Sequence, residues 1–218
     1  MPALEIIDDI AVLHLGDDEN RFSPDWLATV NGFLDRIESG EAKALVTTGD
    51  GKFYSNGLDL DWLAAHSDQG DWYIDQVQQL LARVLVAPVP TVAAVNGHAF
   101  GAGAMLGIAH DFRIMRVDRG YYCFPEVDIR IPFTPGMAAV IQAKLTPAAA
   151  VEAMTTGRRY GGADAHAVGL VTATASEDKV TSAAVDLATA LKGKDPGTLQ
   201  AIKSTMFTSV TAALRGTA

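Results

Sequence analysis

The stretch Val95-Asn96-Gly97-His98-Ala99-Phe100-Gly101-Ala102-Gly103-Ala104-Met105 decides the fold. Upstream of it, Thr91–Val95 is β-branched and wholly apolar, which predicts a strand buried on both faces. The glycines mark a turn, and Gly101–Ala109 predicts a helix of small residues. The first N–H groups of such a helix have no internal partner and lie at the positive end of its dipole. A turn of this kind can aim backbone donors at an oxygen that gains negative charge. The same glycines serve equally well for tight helix packing or a left-handed backbone angle.

Working outward, Phe53-Tyr54-Ser55-Asn56-Gly57-Leu58-Asp59-Leu60 repeats the arrangement: an extended run, a glycine turn, and a predicted helix over 58–65. Two such turns suggest a pair of backbone donors, the usual geometry of an oxyanion hole. Asp59 and Asp61 suit the start of that helix without any functional role. On the other side, Phe124-Pro125-Glu126-Val127-Asp128-Ile129 is irregular and sets one carboxylate among aromatic and aliphatic neighbours. Apolar surroundings raise a carboxylate's pKa towards the range useful for proton transfer. On local pattern alone, Glu126 reads as readily as a surface loop carboxylate.

The rest of the chain supplies the frame. Leu4–Ile7 and Ile10–Leu15 predict a hairpin around Asp8-Asp9. Ser23-Pro24 caps a helix whose apolar face is Trp26, Leu27, Val30, Phe33, Leu34 and Ile37, and Gly40 ends it. Ala44–Thr48 and Phe112–Met115 predict strands, and Asp71–Val86 a helix stopped by Pro88 and Pro90. Helices follow over 135–145, 147–156 and 163–168, a strand over Leu170–Ala173, and closing helices over 180–191 and 199–214. Strand–helix alternation gives an α/β class. The expected organisation is a core domain over 1–195 carrying a C-terminal helix in 196–218.

Composition narrows the function. Hydrophobic residues make up 49% of the chain, ample for a packed core, and the formal charge of −9 disfavours a nucleic-acid partner. The single cysteine, Cys123, excludes an internal disulfide and reads as a small buried hydrophobe rather than a nucleophile. Five histidines without paired spacing give no metal site, and His98 and His110 read as structural. Gly101-Ala102-Gly103 is not a dinucleotide fingerprint, because Asn96–Phe100 separates it from the strand. Gly51-Lys52 leads to Phe53, so there is no P-loop. The apolar runs are too short to span a membrane, the N-terminus carries acid where a signal peptide carries base, and the last residues are not a peroxisomal tripeptide. A cytoplasmic location is the expectation.

The three segments together resemble the enoyl-CoA hydratase/isomerase, or crotonase, superfamily. The likeness runs from Asn20-Arg21-Phe22 to Ala163–Leu170 and includes Thr156-Gly157-Arg158-Arg159. It implies a crotonase-like spiral of ββα units with a C-terminal helical region, and an acyl-CoA thioester as partner. It also implies a homotrimer and no cofactor beyond the CoA of the substrate. A short form of that fold is the expectation, since the sequence given ends at Ala218, where many family members have further helices. The implied roles are residue by residue. The N–H groups of Leu58 and Ala102 hold the thioester oxygen. Ser55, Asn56, Gly57 and Leu60 line the path of the CoA. Arg21 contacts CoA beside Phe22, with Lys203 a further candidate, and Gly101, Met105 and Phe124 adjoin the acyl group.

Hydratases of the family carry two glutamates, whereas this chain has Met105 at the first position and Glu126 at the second. One glutamate suffices to move a proton, and the pattern resembles the Δ3,Δ2-enoyl-CoA isomerases, including plant-type members. The alternative is a protein of the same fold with another acyl-CoA reaction, such as hydration, thioester hydrolysis or decarboxylation, or a non-catalytic acyl-CoA binder.

Overall fold

A computed structural model describes residues 1–217. Strands β1 (Ala3–Ile7) and β2 (Ile10–His14) form the expected hairpin, with Asp8 and Asp9 both at positive φ in the turn. They open a six-stranded sheet that continues through β3 (Ala44–Thr48), β5 (Thr91–Val95), β7 (Phe112–Arg116) and β9 (Ala173–Ala175). Every pairing after the hairpin is parallel.

The sheet is covered on both faces, which explains its unbroken apolar runs. Ile10, Val12, Ala44, Val46, Val92, Ala94 and Ile114 face helix α9 (Val180–Leu191) and bury Val180, Ala184 and Ala188. The alternate residues, including Leu13, Leu45, Ala93, Val95 and Met115, enter the main core. That core also takes the apolar faces of α1 (Pro24–Arg36), α3 (Gly70–Leu85) and α4 (Ala102–Ala109). Ser23 caps α1 by accepting from Trp26 N at 3.3 Å, an interaction worth about 1 kcal/mol.

A second sheet positions the site. Its three short parallel strands, β4 (Phe53–Ser55), β6 (His98–Phe100) and β8 (Tyr122–Cys123), lie side by side in that order. Because Ser55 pairs Ala99 and Phe100 pairs Cys123, the residues that follow each strand emerge at one edge. All three sequence segments singled out above therefore meet there.

Beyond the small sheet and the short helix at Glu126–Ile129, three elements differ from the sequence reading. The last strand starts at Ala173 rather than Leu170. Leu170 and Val171 instead turn inward after α8 (Gly162–Ala167), where both are buried in the main core. The single helix expected over 199–214 is two, α10 (Pro196–Met206) and α11 (Thr208–Leu214), broken at Phe207. Val210 and Leu214 are core residues, so this tail packs into the same domain. The helix expected from Leu58 is α2 (Leu60–Ala65), with Asp59 as its N-cap. No helix among the described residues is long and apolar enough to cross a membrane.

Candidate active site

Two glycines bring the loops together. Gly57 has φ +83, and a methyl group built on it would lie 2.7 Å from the Phe100 carbonyl oxygen and 2.8 Å from the Ala102 nitrogen. Only glycine permits both the backbone angle and the contact. Gly101, at φ +53, turns the chain into α4 and leaves Ala102 as the first helical residue. Neither Leu58 N–H nor Ala102 N–H donates to another group among the described residues. The Ala102 donor is free because a helix start has no internal acceptor for it. The Leu58 donor lies upstream of the Asp59 cap, so the Gly57 turn rather than a helix end presents it.

Ser55 locks that turn. Its fully buried Oγ donates to the Asn20 carbonyl at 2.8 Å and accepts from Gly57 N at 3.0 Å. The Phe22 N–H adds a bond to the Gly57 carbonyl at 2.8 Å.

Glu126 opens the short helix α5 (Glu126–Ile129) directly after β8. Its Oε1 lies where a methyl group on Gly101 would touch it at 3.5 Å, beside the second donor. The side chain is 8% exposed, and its Oε2 has no hydrogen-bond partner. Burial lifts its pKa from 4.5 to about 7, partly offset by a hydrogen bond to its own backbone N–H. The carboxylate is thus poised near neutrality.

These groups border a cleft of about 390 Å³. Leu58, Gly101, Ala102 and Glu126 line it, as do Asn56, Leu60 and Arg21 at the mouth. Phe100, Pro125, Ile129 and Ile131 give it an apolar wall.

Several expected lining residues lie elsewhere. Met105 is 1% exposed in the main core, Phe22 is buried and stacked on Trp26, and Phe124 packs edge-on to Tyr122. They support the loops from behind. Lys203 lies in a different cavity, where its Nζ donates to Asp111 Oδ2 at 2.6 Å and the Val89 carbonyl at 2.9 Å. It is not a group of this cleft. Arg21 does reach the cleft, but it is tied to Glu19 at 2.5 Å and Asp61 at 2.6 Å.

The sequence reading passed over Arg159. It lines the cleft with its guanidinium 5.5 Å from the Phe100 ring centroid, and makes no ion pair among the described residues. Its neighbour Arg158 is held by Glu152 and Asp164. Nothing in the sequence separates the two arginines. Cys123 is no nucleophile, since burial raises its thiol pKa to about 11. Among the described residues no cluster of three metal-ligating side chains exists.

Two unpaired backbone N–H groups on loops that border one cleft, with a buried carboxylate beside them, suit the formation of an enolate from a thioester. Comparison with known proteins agrees with that class. A family model described as enoyl-CoA hydratase/isomerase matches residues 5–217. The Arabidopsis thaliana protein named enoyl-CoA delta isomerase 3 is 38% identical, the match covering 89% of this chain and 86% of that one. A structure of an enoyl-CoA isomerase from Mycobacterium tuberculosis superposes with a TM-score of 0.91 at 26% identity, covering 99% of this chain and 95% of its own. One of an enoyl-CoA hydratase from Mycobacterium ulcerans does so with a TM-score of 0.92 at 25% identity, covering 99% and 95%. The chain belongs to the enoyl-CoA hydratase/isomerase family and has the crotonase fold.

Proposed function

We propose that the protein is a Δ3,Δ2-enoyl-CoA isomerase in which Glu126 moves a single proton. The observation that carries this reading is the solitary carboxylate. Glu126 is the only acid inside the cleft among the described residues, because Asp61 sits at the mouth in an ion pair with Arg21. Hydration uses one group to activate water and another to deliver its proton. The position that resembles the first of the hydratases' two glutamates holds Met105, buried in the core. The 38% identity to a relative named as a delta isomerase supports the same choice.

In a 3-enoyl-CoA the C2 proton is acidified by both the thioester carbonyl and the double bond. Ionised Glu126 takes that proton, and the electrons of the C2–H bond move into a dienolate whose oxygen accepts from the Leu58 and Ala102 N–H groups. The double bond shifts to C2–C3 as Glu126 returns the proton to C4. The product is the 2-trans-enoyl-CoA, and Glu126 is again ionised. The proton balance closes without water or a redox partner. Asn56, Leu60 and Arg21 border the entrance on the CoA side of this reading.

A homotrimer belongs to the same reading. Val127, Ile129 and Val151, on the adjoining helices α5 and α7 (Pro147–Thr156), are exposed and apolar and would form part of its interface. Sedimentation at three times the 23.0 kDa chain mass tests it.

The function is tested by converting 3-hexenoyl-CoA to 2-hexenoyl-CoA with the parent and with Glu126→Gln. The variant is expected to lose turnover by about 10³-fold, the middle of the 10²–10⁴ usual for general acid–base groups, while still binding acyl-CoA. Unchanged turnover would remove Glu126 from the reaction.

A further inference from the structure

Helix α4 starts at the cleft and ends at a second cavity, of about 350 Å³, that shares no lining residue with it. This volume falls within the range of roughly 300–1,000 Å³ typical of ligand pockets. Its floor holds an unbalanced set of charges. Lys203 is 4% exposed and bound to Asp111. Lys144, at the end of α6 (Pro135–Lys144), donates to the His110 carbonyl at 3.1 Å and stands 4.7 Å from the Phe207 ring centroid. Arg113 is buried behind them and donates to the Leu170 and His110 carbonyls.

Asp111 is the only carboxylate that lines this cavity or pairs with these three cations among the described residues. His110 adds no charge, because burial drops its pKa to about 4. The cluster therefore carries two positive charges in excess. The C-terminus of α4 offsets about half a charge of that. Buried charges are normally matched by a counter-charge, since leaving one unmatched is costly. Lys144 keeps most of its charge at neutral pH, with a pKa that burial lowers to about 8. Above the buried cluster, Phe112, Leu191 and Leu199 give largely apolar walls that lead to Ile202 and Met206, both exposed at the rim, where the exposed Lys194 adds a further positive charge.

We propose that this cavity is a second binding site, for an amphiphilic monoanion whose carboxylate meets Lys144 and whose aliphatic chain lies along Leu191, Leu199 and Ile202. The two charges in excess and the apolar walls select a head and a tail together. The site is independent of the catalytic reading, because it uses neither the donors nor Glu126.

Calorimetric titration of the full chain with sodium decanoate, below its micellar concentration, tests the proposal. One saturable site per chain is expected, weakened at least tenfold in Lys144→Met and retained in Lys144→Arg. 1-Decanol, the same chain without the charge, should bind at least tenfold more weakly. Butyryl-CoA should not displace decanoate. Ile202→Asp leaves the buried cluster intact and sets a negative charge at the rim, so it should weaken binding with no change in melting temperature. Lack of saturable binding, affinity unchanged from the parent in Lys144→Met or in Ile202→Asp, or displacement by butyryl-CoA would each overturn the assignment. So would self-association of the chain that masks the cavity and excludes decanoate.

Discussion

Replacing Glu126 with glutamine keeps the side-chain shape and removes its charge, so it isolates what burying that charge costs. Glu126 is 8% exposed with an unpartnered Oε2, and its pKa rises from 4.5 to about 7. Below pH 4.5 both the folded and the unfolded chain hold the proton, and the carboxyl costs nothing extra. Between 4.5 and about 7 the unfolded chain ionises while the folded one keeps its proton. Stability then falls by about 1.4 kcal/mol per pH unit. Above about 7 both states are ionised, and the loss levels off at about 3 kcal/mol. Glutamine escapes this loss. The stability of Glu126→Gln relative to the parent is therefore expected to improve by about 3 kcal/mol between pH 4 and pH 8, equivalent to roughly 6–12 °C in melting temperature for a chain of this size. Urea unfolding of both proteins at pH 4, 6 and 8 measures it. Using the difference between pH values cancels any fixed effect of the amide. A gap that does not change with pH would refute the reasoning, because it would mean that the folded protein solvates or pairs the carboxylate.

The same group sets the rate profile. kcat/KM for isomerisation should rise with pH to a plateau, with an apparent pKa near 7, because the ionised form is the base; a flat profile from pH 5 to 8 would exclude it. Gly57→Ala should lose about 2–3 kcal/mol of stability and at least tenfold in turnover, since its methyl group would press on the Ala102 nitrogen from a left-handed backbone angle; thermal melts and steady-state assays check both. Lys203→Met should destabilise by about 1–3 kcal/mol by removing the hydrogen bonds to Asp111 and the Val89 carbonyl, with KM for acyl-CoA unchanged. A raised KM would return Lys203 to the CoA path.

The large sheet was legible almost to the residue where apolar β-branched runs are unbroken, as in β3 and β5. The site loops were legible as strand–glycine–helix patterns. The small sheet between them was not, because strands of two or three residues carry no period to read. Its parallel register is what converts three separate segments into one edge. At Leu58, which the resemblance implies as a donor, the pattern predicts a helix start, whereas the residue lies in the Gly57 turn and the helix begins later, at Leu60. Lys203 went astray for a different reason. It shares an i, i+4 face with Leu199 and Phe207, and that spacing marks a lysine turned inward with the apolar residues. Arg21 lines the cleft, but the acids that hold it, Glu19 and Asp61, decide how much charge it offers.

The most direct test of the account compares two rates in the unmodified protein. Conversion of 3-hexenoyl-CoA to 2-hexenoyl-CoA and hydration of 2-hexenoyl-CoA are followed under the same conditions. One buried carboxylate beside two backbone donors predicts isomerisation faster than hydration by at least about 10²-fold, the lower contribution of a single general acid–base group. Hydration at a rate comparable to isomerisation would contradict the one-glutamate mechanism.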